Sequence, residues 1–100
     1  MARFVFAEPS SGKILFSSVS LPVEWAQGRN FFDEISKHNS TSMMKKIGKA
    51  FTGIANVSFD VRLCLSKDGI VDVPQNVKLS VTPMLQKRRK VSGVIVLFSV

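Results

Sequence analysis

The sequence has a single cysteine, Cys64, among its 100 residues. No internal disulfide and no metal site made of cysteines alone can therefore form, which fits a reducing compartment. No apolar run approaches the ~20 residues that a membrane-spanning helix needs. No basic and apolar leader opens the chain. These absences predict a soluble, cytoplasmic domain, and the length predicts one domain with one hydrophobic core.

Acidic residues are scarce, with 7 Asp and Glu against 14 Lys and Arg, which gives a net charge of +7. Such an excess can attract nucleic acid, acidic lipid or an acidic partner. The basic residues do not form one long run, however, and no aromatic residues lie beside Lys87–Lys90 or Lys45, Lys46 and Lys49. Proteins that bind single strands interleave the two types. The pattern therefore argues against nucleic-acid binding.

The most apolar stretch is Val91–Val100, and its residues from Val94 to Phe98 carry no charge. Most of them are β-branched or aromatic, which suits a strand. An unbroken apolar run of this length predicts a strand that is buried on both faces. We therefore expect it in the middle of a sheet, with its even positions from Val94 onward on the face that the helices cover.

Four further segments alternate between apolar and polar residues. Arg3–Ala7 and Lys13–Ser17 flank a Pro and Gly turn and predict a hairpin, with Phe4, Phe6, Ile14 and Phe16 facing inward. Val57–Ser66 predicts a half-buried antiparallel strand. An Asp-Gly turn signal then leads into a strand over Val73–Met84, with Val73, Val77, Leu79 and Val81 inward.

Three helices are predicted between the hairpin and the third strand. Pro22 is placed for the first turn of a short helix that Gly28 ends. Asn30 is placed to cap Phe31–Lys37. Met43–Ile54 has apolar residues at helical spacing opposite its lysines, and Gly53 is placed to end it. This longest helix should lie across the sheet.

Taken together, these segments resemble a PAS domain over nearly the whole chain. The matching stretches are the hairpin residues Ser11–Leu15, the helix entry Gly28–Ile35, the helix Met43–Ile54, the strand and turn Phe59–Gly69, and the last strand from Val91 to Ile95. The resemblance implies an α+β fold with a five-stranded antiparallel sheet, strand order 2-1-5-4-3, and helices on one face. It also implies a sensory, dimerisation or protein-interaction module of a signalling protein.

The stretch Gly28–Ile35 is most similar to photoactive yellow protein within that family. His38 stands where that resemblance would place the chromophore cysteine, and Ser17 stands at the position of a chromophore-contacting tyrosine. The flavin-binding branch needs a cysteine near the same helix, whereas Cys64 lies on a strand. The resemblance therefore implies neither chemistry, and it leaves the cofactor unknown.

The resemblance implies a ligand pocket between the longest helix and the sheet. Its candidate lining residues are Met43, Met44, Ile47, Phe51, Leu63, Leu79 and Val96. A small apolar ligand could be held there, because methionine side chains adapt to irregular shapes. The alternative is a fully packed core, which we favour because no polar group is evidently placed to orient a ligand.

The outer face of the sheet is the second candidate site. We expect Val5, Leu15, Cys64, Ile95 and Leu97 on it, among polar residues. An exposed apolar patch usually marks an interface. The face should pack against a second copy of the chain, or against a flanking helix or effector domain of a larger signalling protein from which this domain is excised.

No catalytic or metal site is predicted. His38, the only histidine, lies in a polar break, where we expect a solvated loop residue and not a haem ligand. A metal site needs three or four converging ligands. Cys64 would need a base such as His38 within reach to act as a nucleophile. The sequence thus predicts a non-enzymatic signalling module that binds a ligand, dimerises or does both, with a ligand-free association scaffold as the alternative.

Overall fold

Antiparallel strands and two helices make up the described part of the chain. A computed structural model describes residues 3–18, 21, 25–66, 69–86 and 90–99. In chain order the elements are β1 (Arg3–Ala7), β2 (Ile14–Ser17), α1 (Phe31–Ser36), α2 (Thr41–Thr52), β3 (Val57–Ser66), β4 (Gly69–Leu85) and β5 (Val91–Ser99). They form one five-stranded sheet with the order β2-β1-β5-β4-β3. The predicted α+β fold and strand order are confirmed.

Some predicted features lie outside the described residues. These are the first residues of the short helix, at 22–24, the turn residues 67–68, the connector residues 87–89, and Val100.

The last strand is central, as its apolarity predicted. Val96 pairs with Val5 of β1 on one side and with Val81 of β4 on the other. On β5, Val94 and Val96 are fully buried, and Phe98 is nearly so. The prediction that the even positions face the helices is confirmed for Val94, Val96 and Phe98. Since a two-sided strand bonds along both edges, its register fixes that of both halves of the sheet.

Both helices begin at side-chain caps. The side chain of Asn30 accepts a hydrogen bond from the backbone of Asp33 at the start of α1, as predicted. Ser40 accepts from the backbone of Met43 at the start of α2, and Gly53 ends that helix. Such caps satisfy backbone N–H groups that the first turn leaves without partners. Ile54 lies past the helix end and is 57% exposed, so its predicted place on the apolar stripe is wrong.

One core fills the space between the helices and the inner face of the sheet. Helix α1 contributes Phe31 and Ile35, and α2 contributes Ile47, Ala50 and Phe51. The strands add the buried residues Val5, Ala7, Ile14, Val61, Leu63, Leu65, Val77, Leu79, Val81, Val94, Val96 and Phe98. The helical period of α2 and the strand alternation thus meet in one apolar layer.

The facing predicted for β1 is wrong. Val5 is fully buried on the inner face and does not lie on the outer face. Its register explains this, because Val5 pairs with the inward-facing Val96, while Phe4 pairs with Leu97 and Phe6 with Ile95. A one-position error in phase exchanges the two faces of a strand. Phe4 and Phe6 therefore lie on the outer face of the sheet, away from the helices.

A bulge splits the predicted inner pair of β2. Ile14 pairs with Ala7 and is fully buried, whereas Phe16 pairs with Phe6 and is 57% exposed. Leu15 is the extra residue between these two pairs and is half-buried. A bulge places two residues opposite one and changes the alternation beyond it. Phe16 therefore lies on the outer face.

Strand β4 begins earlier than predicted. Its pairing with β3 is interrupted, since Leu63 pairs with Gln75 while Leu65 pairs with Ile70. Val73 lies in the interrupted segment and is 62% exposed, so its predicted inward facing is wrong. The segment carries the strand from its turn at Gly69 past Pro74, which donates no hydrogen bond to a ladder.

Gly93 allows β5 to pack beneath an aromatic ring. The residue is buried, and a Cβ atom there would overlap the ring of Phe6. Glycine in a strand often marks such a close approach. The position therefore requires the smallest residue for steric reasons.

We expect Gly93→Ala to lower the free energy of unfolding by about 1–2 kcal/mol, because the Phe6 ring must move away from its position. Gly48→Ala is the matched control: nothing lies within 4 Å of its added Cβ, and it is in a helix. The control should raise stability by about 0.5–1 kcal/mol. Urea unfolding measures both, and equal effects of the two substitutions would contradict the close approach.

Candidate functional site

Five apolar side chains form a continuous patch on the outer face of the β2-β1-β5 half of the sheet. We call this set, Phe4, Phe6, Phe16, Ile95 and Leu97, the outer patch. Phe4 and Leu97 are paired, as are Phe6 and both Ile95 and Phe16. The rings of Phe4 and Phe16 lie 5.9 Å apart. Phe16 remains 57% exposed and Leu97 40% exposed, so the patch is open to solvent.

The other half of the same face is polar. Ser58 and Ser80 place their hydroxyls 3.4 Å apart, and Arg62 donates to the side chain of Asn76 at 2.9 Å. Asp60 is paired with Lys78. Positions directly opposite each other in a strand pair share a face, so this area carries charges of both signs. The face is therefore divided into an apolar area and a polar area.

The structure places the predicted interface residues in four different locations. Ile95 and Leu97 lie in the outer patch, and Leu15 lies at the β2 bulge beside it. Val5 is in the core. Cys64 belongs to β3, at the opposite edge of the sheet from β2, so it is not part of the patch. Simple alternation along β3 could not show this separation, because strand order decides it.

Cys64 lies beside His38, with 3.4 Å between its sulfur and the imidazole Nε2. Both line a cavity of about 140 Å³, whose other walls are Trp25, Glu34, Lys37, Leu63, Leu65 and Ile70. A thiol and an imidazole at this distance are two parts of a nucleophilic triad. In the described part of the chain no third group orients the His38 ring, so the pair stops short of a triad.

Glu34 is the charged residue of this cavity that is held most firmly. It is 9% exposed, and its carboxylate meets Lys37 at 2.9 Å and Arg29 at 3.1 Å. Burial raises the pKa of Glu34, but hydrogen bonds and charge attraction from Lys37 and Arg29 outweigh it and lower the pKa below its ordinary value of 4.5. The carboxylate therefore joins α1 to the loop before it.

The Glu34 ion pairs should make stability depend on pH. Because the folded-state pKa is lowered, the contribution of Glu34 is complete above about pH 4.5 and is lost as the pH falls through the folded value. We expect Glu34→Gln to lower the free energy of unfolding by about 1 kcal/mol at pH 7, since both partners are half exposed. The difference from wild type should shrink by pH 3 in urea unfolding. Asp72→Asn, at an exposed position, is the control. A difference between Glu34→Gln and wild type that stays constant with pH would contradict this role of Glu34.

The interior between α2 and the sheet is occupied by aromatic rings. Phe51 stacks on Phe31 at 5.2 Å and contacts Phe32 at 4.7 Å, and Trp25 meets Phe98 edge-on at 5.1 Å. Sequence reasoning did not find this cluster, because the rings come from four separate segments. Spacing along one segment cannot reveal such a set.

All seven predicted pocket residues lie in or against this core. Met43 and Met44 are half-buried at its edge, and the others are 2% exposed or less: Ile47, Phe51, Leu63, Leu79 and Val96. Of the seven, Leu63 alone lines the cavity beside Cys64. The structure brings them together as packed side chains, and their role in ligand binding stays a prediction.

Phe51→Ala tests whether the interior is fully packed. The substitution should cost about 3–5 kcal/mol and leave a ring-sized cavity. Benzene should then raise the melting temperature of the variant but not that of wild type, because dry apolar cavities bind such molecules. An equal benzene shift in both proteins, measured by differential scanning calorimetry, would show that wild type already contains open space.

Known structures that share this architecture include the following three. The PAS domain of the fruit-fly ELK potassium channel superposes with a TM-score of 0.71 at 12% identity, covering 98% of this chain and 85% of its own. A sensory box sensor histidine kinase from Vibrio cholerae gives 0.66 at 13% identity, covering 99% and 80%. Drosophila melanogaster Cycle PAS-B with bound ethylene glycol gives 0.62 at 10% identity, covering 97% of both chains.

This chain therefore has the PAS fold, as its sequence resemblance implied. No protein-family model and no curated protein matches the sequence. At identities near one residue in eight, the likeness establishes the fold.

The described residues contain no helix with the length and apolarity that crossing a bilayer requires. The same residues hold no group of three or more His, Cys, Asp or Glu side chains arranged to bind a metal ion.

Proposed function

We propose that this chain is a regulatory module of a signalling protein, and that it acts by pairing with a second copy of itself through the outer patch. One observation carries the proposal: a cluster of large apolar side chains is left uncovered on a sheet face, with Phe16 57% and Leu97 40% exposed. Contiguous exposed apolar patches of this kind mark interaction sites.

The absence of charge from the outer patch favours a second copy as the partner on this face. The chain carries a net charge of +7, so two copies repel each other at most orientations. The outward-facing described residues of β1 and β5 are Phe4, Phe6, Gly93, Ile95, Leu97 and Ser99, none of them charged. Two patches related by a twofold axis would therefore meet without opposing charges, as an isologous interface requires.

The size of the face also suits a homodimer. A five-stranded sheet of these lengths offers about the 800 Å² per partner of a standard interface. The outer patch would supply the apolar centre of that interface. The polar half, with Ser58, Asp60, Lys78 and Ser80, would supply its rim.

Strand β5 connects the proposed dimer interface to the core. Val94, Val96 and Phe98 face the helices, while Ile95 and Leu97 face the proposed partner. A shift in the packing of one face would displace the other, because both belong to the same strand. In a signalling protein, that coupling would change how two attached effector domains are arranged.

The filled interior supports association without a bound ligand. A ligand between α2 and the sheet would have to displace the stacked rings of Phe31 and Phe51. The proposed module is also non-catalytic, because within the described residues the Cys64 and His38 contact lacks an orienting group.

Leu97→Lys tests the interface. We expect wild type to form a dimer at micromolar concentration by sedimentation equilibrium, and the lysine variant to dissociate at least about tenfold more readily, since a charge would be buried at the apolar centre. Ile54→Lys is the matched control, because Ile54 is 57% exposed but lies outside the sheet.

The control variant should dimerise like wild type. A monomeric wild type would contradict the proposal and would favour a flanking helix or effector domain as the cover. A dimer that Leu97→Lys leaves intact would place the interface elsewhere.

A further inference from the structure

Strand β3 is an edge strand, and a side chain covers only part of its free edge. The amide of Asn39 binds both backbone groups of Arg62: its Nδ2 donates to the Arg62 carbonyl at 2.8 Å, and its Oδ1 accepts from the Arg62 N–H at 3.0 Å. The Asn39 amide therefore occupies the position of a neighbouring strand at one residue.

The direction of the Arg62 N–H shows which other groups face outward. It points to Asn39 and so away from β4. The pairing of β3 with β4 is unbroken from Val57 to Leu63, and backbone groups alternate in direction along a strand. The N–H and C=O of Ser58 and Asp60 must therefore point outward as well.

Those outward groups have no bonding partner among the described residues. A row of free donors and acceptors on an edge is a template for a further strand.

An apolar groove of about 420 Å³ runs beside this part of the edge. Its walls are Ala50, Gly53, Ile54, Ala55, Val57 and Phe59, with Lys46 and Lys49 beside them. Cavities of this volume and character hold ligand side chains. A strand added ~4.8 Å beyond β3 would direct alternate side chains toward the groove.

Charge identifies the partner further. Lys46 and Lys49 are exposed, and neither has an acidic partner among the described residues. Asp60 does not oppose an acidic partner at the groove, because its side chain belongs to the outer face, where it is paired with Lys78. Two copies of this chain joined along β3 would bring their lysines together, so a second copy is disfavoured.

We propose that the β3 edge at residues 57–61 binds an extended acidic segment of another protein as a sixth strand. Its backbone bonds to Ser58 and Asp60, its apolar side chains fill the groove, and its acidic side chains contact Lys46 and Lys49. This is β-strand addition, in which backbone bonds give affinity and alternate side chains give specificity. The site is separate from the outer patch and does not depend on dimerisation.

The probe is a fluorescein-labelled peptide of sequence ETVTVTE, which places two Val between two Glu on one side of a strand. KTVTVTK is its charge control. We expect fluorescence anisotropy to show binding of the acidic peptide and at least about fivefold weaker binding of the basic one. Equal binding of the two peptides overturns the assignment of the lysines.

Backbone methylation of the peptide tests strand addition. Only alternate amides of an added strand face β3. Methylating one alternate set should therefore weaken binding more than about tenfold, and methylating the other set should leave it unchanged. Equal effects of the two sets overturn the proposal, because a helix or an unstructured chain in the groove would not distinguish them.

Variants of the protein test the same contacts. Ser58→Pro removes one outward N–H without touching the ladder to β4, and it should abolish binding, while Ser58→Ala keeps the N–H and should bind normally.

The Lys46→Glu and Lys49→Glu double variant should prefer the basic peptide, whereas Lys45→Glu, outside the groove, should not. Unchanged preference in the double variant overturns the proposal. Circular dichroism checks that each variant folds. If Ser58→Pro does not fold, the methylated peptides still test strand addition on the wild-type protein.

Discussion

The register of β5 between β1 and β4 is the constraint on which the rest of the structure depends. Val96 pairs with Val5 and with Val81, and all three are buried by 99% or more. Once these three face the helices, Phe4, Phe6, Ile95 and Leu97 must face the other way. The core and the outer patch are thus two consequences of the same pairing.

The two faces of the sheet are packed by different means. The inner face is closed by rings from α1, α2 and β5, among them the stacked pair of Phe31 and Phe51. On the outer face the Phe6 ring lies over Gly93 and Phe4 contacts Phe16, while Phe16 and Leu97 remain exposed. The free edge of β3 is also partly uncovered, because the Asn39 side chain covers it only at Arg62. The two uncovered surfaces therefore suit different partners, because the outer patch is apolar and the area beside the β3 edge is basic.

The sequence predicted the cap at Asn30 and the central place of β5 because these depend on local residues and on the length of an apolar run, whereas the strand order followed from the resemblance to a PAS domain. It failed at Val5 and Phe16, since both faces of β1 are apolar and a bulge interrupts β2. The contact between Cys64 and His38 could not be predicted from spacing, because a helix and the folding of β3 bring together residues that are 26 positions apart. Pairing across the sheet and contacts between distant segments, and not local pattern, decided these cases.

Hydrogen exchange of backbone amides tests the central claim most directly. If β5 lies mid-sheet, hydrogen-bonded along both edges, the amides of Val94–Phe98 should exchange only on global unfolding, with the free energy measured by urea. The outward amides of Ser58 and Asp60 should exchange many times faster under the same conditions. Exchange of the β5 amides at the rate of those two edge amides would contradict the account.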